Sequence, residues 1–187
     1  MTLKFTILGC GFSGGVPRAA LGWGACDPKN PKNRRRRTSL LVEKTGPNGN
    51  KTSILVDTSP DLREQLYDAG VMWLDAVFYT HPHADHVHGI DDLRGLYIHK
   101  RRPVEVYMDE PTSHDVRKRF DYCFATQPGS EYPPIVIENR IEAGHAVTIN
   151  GEGGPITVLP FLQDNGDIQS LGFRFGGPAS SCDLRAV

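Results

Sequence analysis

The chain reads as a mixed α/β layered domain. Short β-branched or aromatic runs bounded by turn residues recur along its length, and segments of helical spacing interrupt them. Its 187 residues, 39% hydrophobic and 23% charged, leave room for a real core. Neither an internal repeat nor a low-complexity linker divides it, so one domain spanning residues 1–187 is expected.

The first strand is expected over Leu3 to Leu8. Ser39 to Glu43 and Ser53 to Asp57 form the next pair, joined through Gly46-Pro47-Asn48-Gly49, residues suited to a hairpin turn. Ser59-Pro60-Asp61 then opens a helix: Ser59 as cap, proline at the tolerated first position, and aspartate complementing the helix dipole. Leu62, Leu66 and Ala69 follow at helical spacing, and Gly70 stops the helix. Ala76 to Tyr79 has the length of a buried strand. Helices are expected over Ile90 to Ile98 and Thr112 to Phe120, with a strand over Val104 to Met108 between them. Four further strands, Ile135 to Ile137, Val147 to Ile149, Ile156 to Phe161 and Ser170 to Phe175, fill the second half.

Composition excludes several functions. A net charge of −1 exerts no whole-protein pull on nucleic acid or an acidic membrane. No apolar stretch is long enough for a signal peptide or a membrane span, and the dispersed cysteines at 10, 26, 123 and 182 fit a reducing cytoplasm. A cytoplasmic protein without membrane contact is the expectation.

The strongest chemical signal follows the Ala76–Tyr79 run: His81-Pro82-His83-Ala84-Asp85-His86. In extended chain, residues two apart face the same way, so His81, His83 and Asp85 project from one side and His86 turns to a neighbouring position. Imidazoles with a carboxylate suit zinc, iron or manganese. Four such ligands in six residues exceed the need of one open catalytic ion and are enough to share between two, which could hold a bridging hydroxide. The isolated His99 and His114 read as surface residues.

His81-x-His83-x-Asp85-His86 resembles the signature loop of the metallo-β-lactamase superfamily. The resemblance implies a four-layered αββα sandwich and a hydrolase with two divalent ions, zinc or manganese. Leu55-Val56-Asp57-Thr58-Ser59 resembles the superfamily's strand ending beneath the metal loop, which makes Asp57 a group that orients the loop without binding metal. Gly9-Cys10-Gly11-Phe12-Ser13-Gly14-Gly15-Val16-Pro17, Trp23-Gly24-Ala25-Cys26-Asp27 and Asn33-Arg34-Arg35-Arg36-Arg37 are similar to the branch containing the phosphoribosyl cyclic phosphodiesterase.

The pattern breaks in the second half. Where the family supplies a further histidine, this chain has Asn165, whose amide oxygen is a poorer zinc ligand. Ser180-Ser181-Cys182-Asp183 fits the family's bridging aspartate, making Asp183 the candidate. The family's last histidine lies beyond the point where the chain ends, so the C-terminal half of the sandwich is expected to be incomplete. Either catalysis is impaired or another chain, as in a homodimer, completes the site. His145, in Ala143-Gly144-His145-Ala146, is a conceivable substitute but reads as an exposed turn residue.

Gly9-x-Gly11-x-x-Gly14 matches the dinucleotide fingerprint in letters. The glycines and proline that follow cannot make the helix such a site needs, so the segment reads instead as a wall beside the metals. Arg34 to Arg37 reads as a solvated loop; its functional alternative gives Arg34 and Arg36 to a substrate phosphate.

The expected function is hydrolysis of a phosphodiester, a small cyclic phosphate or nucleotide-like substrate, by a metal-bound hydroxide. His81 and His83 would hold one ion, Asp85 and His86 the other, with Asp183 bridging; Asp85 and His86 are also the expected catalytic residues. Two alternatives stand: a ribonuclease resembling the tRNA 3′-processing enzymes, which the near-neutral charge disfavours, and a catalytically impaired module that binds metal or nucleotide.

Overall fold

The computed structural model describes residues 2–166, 168–176 and 182–184; for Asn165 and 182–184 only the backbone is described. Six strands, β1 (Leu3–Gly9), β2 (Ser39–Thr45), β3 (Lys51–Val56), β4 (Ala76–Phe78), β5 (Val104–Met108) and β6 (Val136–Arg140), form one sheet in chain order. The first three are antiparallel, and Gly46–Asn50 closes the β2–β3 hairpin through a 2.8 Å bond from Gly46 N to Asn50 O. From β3 to β6 the strands are parallel, so each connection must cross over a face of the sheet. The crossovers carry α1 (Leu62–Asp68), then α2 (Ala84–Val87) and α3 (Leu93–Lys100), then α4 (Glu110–Phe124). β7 (Val147–Ile149), β8 (Ile156–Asn165), β9 (Ile168–Phe175) and β10 (Cys182–Leu184) make a second, antiparallel sheet in the order β10-β9-β8-β7.

The two-residue periodicity of the strands sorts side chains between two cores. Leu55, Val77, Val104 and Val106 face the helices and pack with Leu62 and Leu66 of α1, Leu93 and Leu96 of α3, and Val116 of α4. Ile54, Val56, Ala76 and Phe78, alternating with them, face the second sheet and meet Ile156, Val158, Leu171, Phe173 and Phe175. The described residues thus form a helix layer and both sheets of the expected metallo-β-lactamase-like sandwich.

Helix ends differ most from the sequence reading. Ser59 does not cap α1: its hydroxyl accepts from Asp61 N at 3.1 Å and donates to Gln65 Oε1 at 2.8 Å, which closes a turn before the helix. Asp61 takes the cap position without a side-chain cap bond, because Arg37 occupies its carboxylate through backbone N and guanidinium, at 2.8 and 2.9 Å. α4 starts earlier than expected because Asp109 accepts from Thr112 N at 3.0 Å. It runs on to Phe124 across a kink at Phe120.

Candidate metal centre

β4 sits between β3 and β5, and the histidine loop leaves its carboxyl end, where open α/β sheets hold their ligands. Three neighbours tie down the base of the loop. Tyr79 N donates to Tyr107 O at 2.9 Å, Asp57 N to Phe78 O at 2.9 Å, and Leu171 N of β9 to Thr80 O at 2.8 Å. Gly89, just past the loop, lies against the chain after β3; a Cβ there would stand 2.1 Å from Ser59 O.

The extended geometry lasts only to His83, at φ −65°, ψ 151°. Asp85 therefore does not continue an alternating row with His81 and His83. It lies on α2, whose single turn brings His86 back over His81: those ring centroids are 4.0 Å apart, against 4.7 Å for His81 and His83. Pro82 explains the change, because it keeps its predecessor extended while the small Ala84 lets a helical turn start at once.

Asp57 organises the protons. It stands at φ 62°, a left-handed backbone that aspartate tolerates better than most residues, immediately after β3. Its carboxylate accepts from Thr80 N and Thr80 Oγ1, both at 2.8 Å, and from His86 Nδ1 at 2.7 Å. The single hydroxyl proton of Thr80 is committed to Asp57, so His81 Nδ1, 2.9 Å from that oxygen, must carry the hydrogen of its own bond. Both buried imidazoles are thereby set with Nδ1 protonated, and their Nε2 atoms stay outside this cradle, where a ligand can reach them.

The charges follow the same arrangement. Burial, reinforced by the neighbouring His86, pushes His81 down to about 4 and keeps it neutral. Burial also opposes charge on His86, but the charge and hydrogen bond of Asp57 outweigh it, with Asp85 adding to them, and raise that group. Asp85 Oδ2 stands 3.4 Å from His86 Nε2. His83 is exposed.

The chemistry of these donors suits a divalent cation: imidazole nitrogens outside the hydrogen-bonded cradle, beside a carboxylate. Their arrangement is looser than the sequence reading implied, since no three His, Cys, Asp or Glu side chains among the described residues close around one point. The side chains of Asp183 and Asn165 lie outside the described residues.

The other expected residues have partners of their own. Arg36 pairs with Asp68 at 2.8 Å, and the Arg34 guanidinium lies 5.8 Å from the centre of the Trp23 ring. The glycine-rich segment makes no helix; it is stitched to the arginine run, with Val16 and Arg35 exchanging two 2.9 Å backbone bonds. Gly9 is required by this approach, because a Cβ would stand 2.0 Å from Arg37 O. Gly9, Gly11 and Phe12 then form one wall of a cavity of about 400 Å³ that reaches Asp57, Thr80 and His86. His145 is an exposed turn residue. Thr80 was not singled out from sequence, although a hydroxyl residue between a buried strand and the first histidine is a readable sign.

The family model described as Beta-lactamase superfamily domain matches residues 52–182. The chain belongs to that family. A crystal structure of a diphosphatase from the PhnP family is 32% identical with a TM-score of 0.77, over 94% of this chain and 63% of that one. Zinc-bound PqqB from Methylobacterium extorquens shares the fold at 19% identity and a TM-score of 0.68, over 93% of this chain and 62% of that one. In sequence, the chain is 33% identical over 185 residues to an octanoyltransferase of Porphyromonas gingivalis, covering 99% of this chain and 35% of that protein. It is 31% identical over 153 residues to a ribonuclease Z of Bradyrhizobium sp. (strain ORS 278), covering 80% of this chain and 47% of that protein. It therefore spans between a third and a half of the length of these curated relatives. Family and fold are those of the metallo-β-lactamase superfamily. No described helix is long and apolar enough to cross a membrane.

Proposed function

We propose that the chain is a divalent-metal-dependent phosphodiesterase acting on a small cyclic phosphate or nucleotide-like substrate. The observation that carries the metal dependence is the Asp57 cradle, which engages Nδ1 of His81 through Thr80 and Nδ1 of His86 directly, and leaves their Nε2 atoms for a ligand. His81 and His83 would hold one zinc or manganese ion, Asp85 and His86 a second, and Asp183 would bridge them. Such ions supply Lewis acidity toward a phosphoryl oxygen and lower the pKa of water. The chain's own part is to keep the donors oriented. Asp57 holds the Nδ1 proton of His86, Thr80 accepts that of His81, and the backbone bonds from β5 and β9 keep the loop base still. The phosphorus chemistry is supported by relatives named a diphosphatase and a ribonuclease Z.

The second reading, a ribonuclease, is favoured by the ribonuclease Z similarity and opposed by the net charge of −1. One screen separates the readings: metal-supplemented protein against bis-p-nitrophenyl phosphate, cyclic nucleotides, a short RNA and a β-lactam, beside His83→Ala. Turnover of the small phosphodiesters, lost in the variant, is the expected result. Cleavage of RNA alone, with affinity falling steeply in salt, selects the ribonuclease. Hydrolysis of the β-lactam alone, or of nothing by metal-loaded protein, overturns the proposal.

A further inference from the structure

The histidine loop is gripped from its outer side as well as from within. Arg119 of α4 reaches across and donates through Nη1 to Pro82 O at 2.6 Å, while Asp115, one turn earlier on the helix, steadies Nη2 at 3.4 Å. The helix departs from regular geometry at the next residue, Phe120 (φ −131°, ψ 37°), whose ring stands edge-on to His88 at 5.6 Å between centroids. Two consecutive residues at the kink thus address the two ends of the segment from Pro82 to His88.

Pro82 O belongs to the peptide plane that ends in the backbone nitrogen of His83, so holding that oxygen fixes the orientation of the plane. On its other side, His83 O accepts from His86 N at 3.0 Å. His81 and His86 are oriented by hydrogen bonds to their rings; His83 is exposed, and its ring contact is with the His81 ring. Orientation therefore reaches the His83 imidazole through the backbone on both sides.

We propose that Arg119 is the positioning residue for His83, aiming its imidazole by holding the Pro82–His83 peptide. The inference about metal binding rests on the reading of His83 as a metal donor; the inference about position does not. Arg119 is 38% exposed at its side chain, so its replacement should leave the fold intact.

The test uses Arg119→Ala, Arg119→Lys, His83→Ala and the Arg119→Ala/His83→Ala double variant. In metal-free protein, NMR of Arg119→Ala should show a displaced His83 amide and broadened His83 ring signals, with the His81 and His86 rings unmoved. Arg119→Lys, which keeps one donor, should restore much of the His83 signal. Zinc affinity, read by chelator competition, should fall about tenfold in Arg119→Ala. The same change should cost less than about twofold once His83 is already alanine. Unchanged His83 signals, equal losses in both backgrounds, or displacement of His81 and His86 with a fall in melting temperature would each overturn the proposal. If His83→Ala binds zinc as tightly as the parent while Arg119→Ala still displaces the His83 signals, the positioning role stands and the metal assignment of His83 fails.

Discussion

His81 and His86 are 1% and 3% exposed, whereas His83, on the same loop and within 4.7 Å of the His81 ring, lies in solvent. Burial makes charge costly, so the inner pair needs hydrogen-bond partners for its second nitrogens, and Thr80 and Asp57 supply them. The outer histidine needs none for stability and is held through its backbone by Arg119 and by α2. The inner donors are thus part of the fold, while the outer one is carried by it. Function and stability should separate along that line.

The largest effect is expected at Asp57. Asp57→Ala strands Thr80 N, Thr80 Oγ1 and His86 Nδ1, a buried network that loses the carboxylate they share. A stability loss of about 3–5 kcal/mol by urea denaturation is expected, with metal affinity falling by roughly 10–100-fold. A loss below 1 kcal/mol would erase the distinction between inner and outer donors. Thr80→Val comes next: it keeps the shape but removes one acceptor and one donor, for about 1–2 kcal/mol by the same measurement.

Acid should act on both members of the inner pair, in opposite senses. His81, ordinarily near 6.5 and held down to about 4, binds its proton more readily unfolded. Its contribution to stability is therefore complete above pH 6.5 and is lost as pH falls from there towards 4. His86, raised by Asp57, works in the opposite sense: its stabilisation is present at low pH and fades as pH rises through its folded value. In metal-free protein the rise of stability between pH 4 and 6.5 should flatten in His81→Asn, and the decline above pH 6.5 should disappear in His86→Asn. A slope that neither variant changes would remove titration of the inner pair from the account.

His83→Ala should change stability by no more than about 0.5 kcal/mol yet reduce metal affinity as strongly as Asp57→Ala. If it proves as destabilising as Asp57→Ala, the comparison fails. The smallest effect belongs to Arg36→Ala, which breaks a partly exposed pair with Asp68 and should cost about 0–1 kcal/mol. A raised KM for a phosphodiester with unchanged metal content would give Arg36 the substrate role expected from sequence.

The layered fold was legible because its strands obey simple patterns. Val104–Met108 and Val147–Ile149 have the bounds that their apolar alternation indicates. The β8–β9 hairpin runs longer than its apolar residues, since Gln163, Asp164 and Asn165 pair with Ser170, Gln169 and Ile168 despite their polarity. Edge polarity read as loop there because ladder bonds, not side chains, carry the pairing. Helix starts were misjudged for a related reason: Ser59 has the right chemistry for a cap, but Arg37, from 24 residues away, took Asp61 and moved the start.

The sequence by itself named His81, His83, Asp85 and His86 as candidate donors and the buried strand beneath them, and resemblance to the family named Asp57 as their support. These depend on residue type and local spacing, which are written along the chain. Only the tertiary structure decided which imidazole nitrogens carry protons, that α2 folds His86 over His81, and that Arg119 holds Pro82 from 37 residues away. A tautomer and a peptide orientation are set by hydrogen-bond partners in space, and residues far apart in the chain supply them.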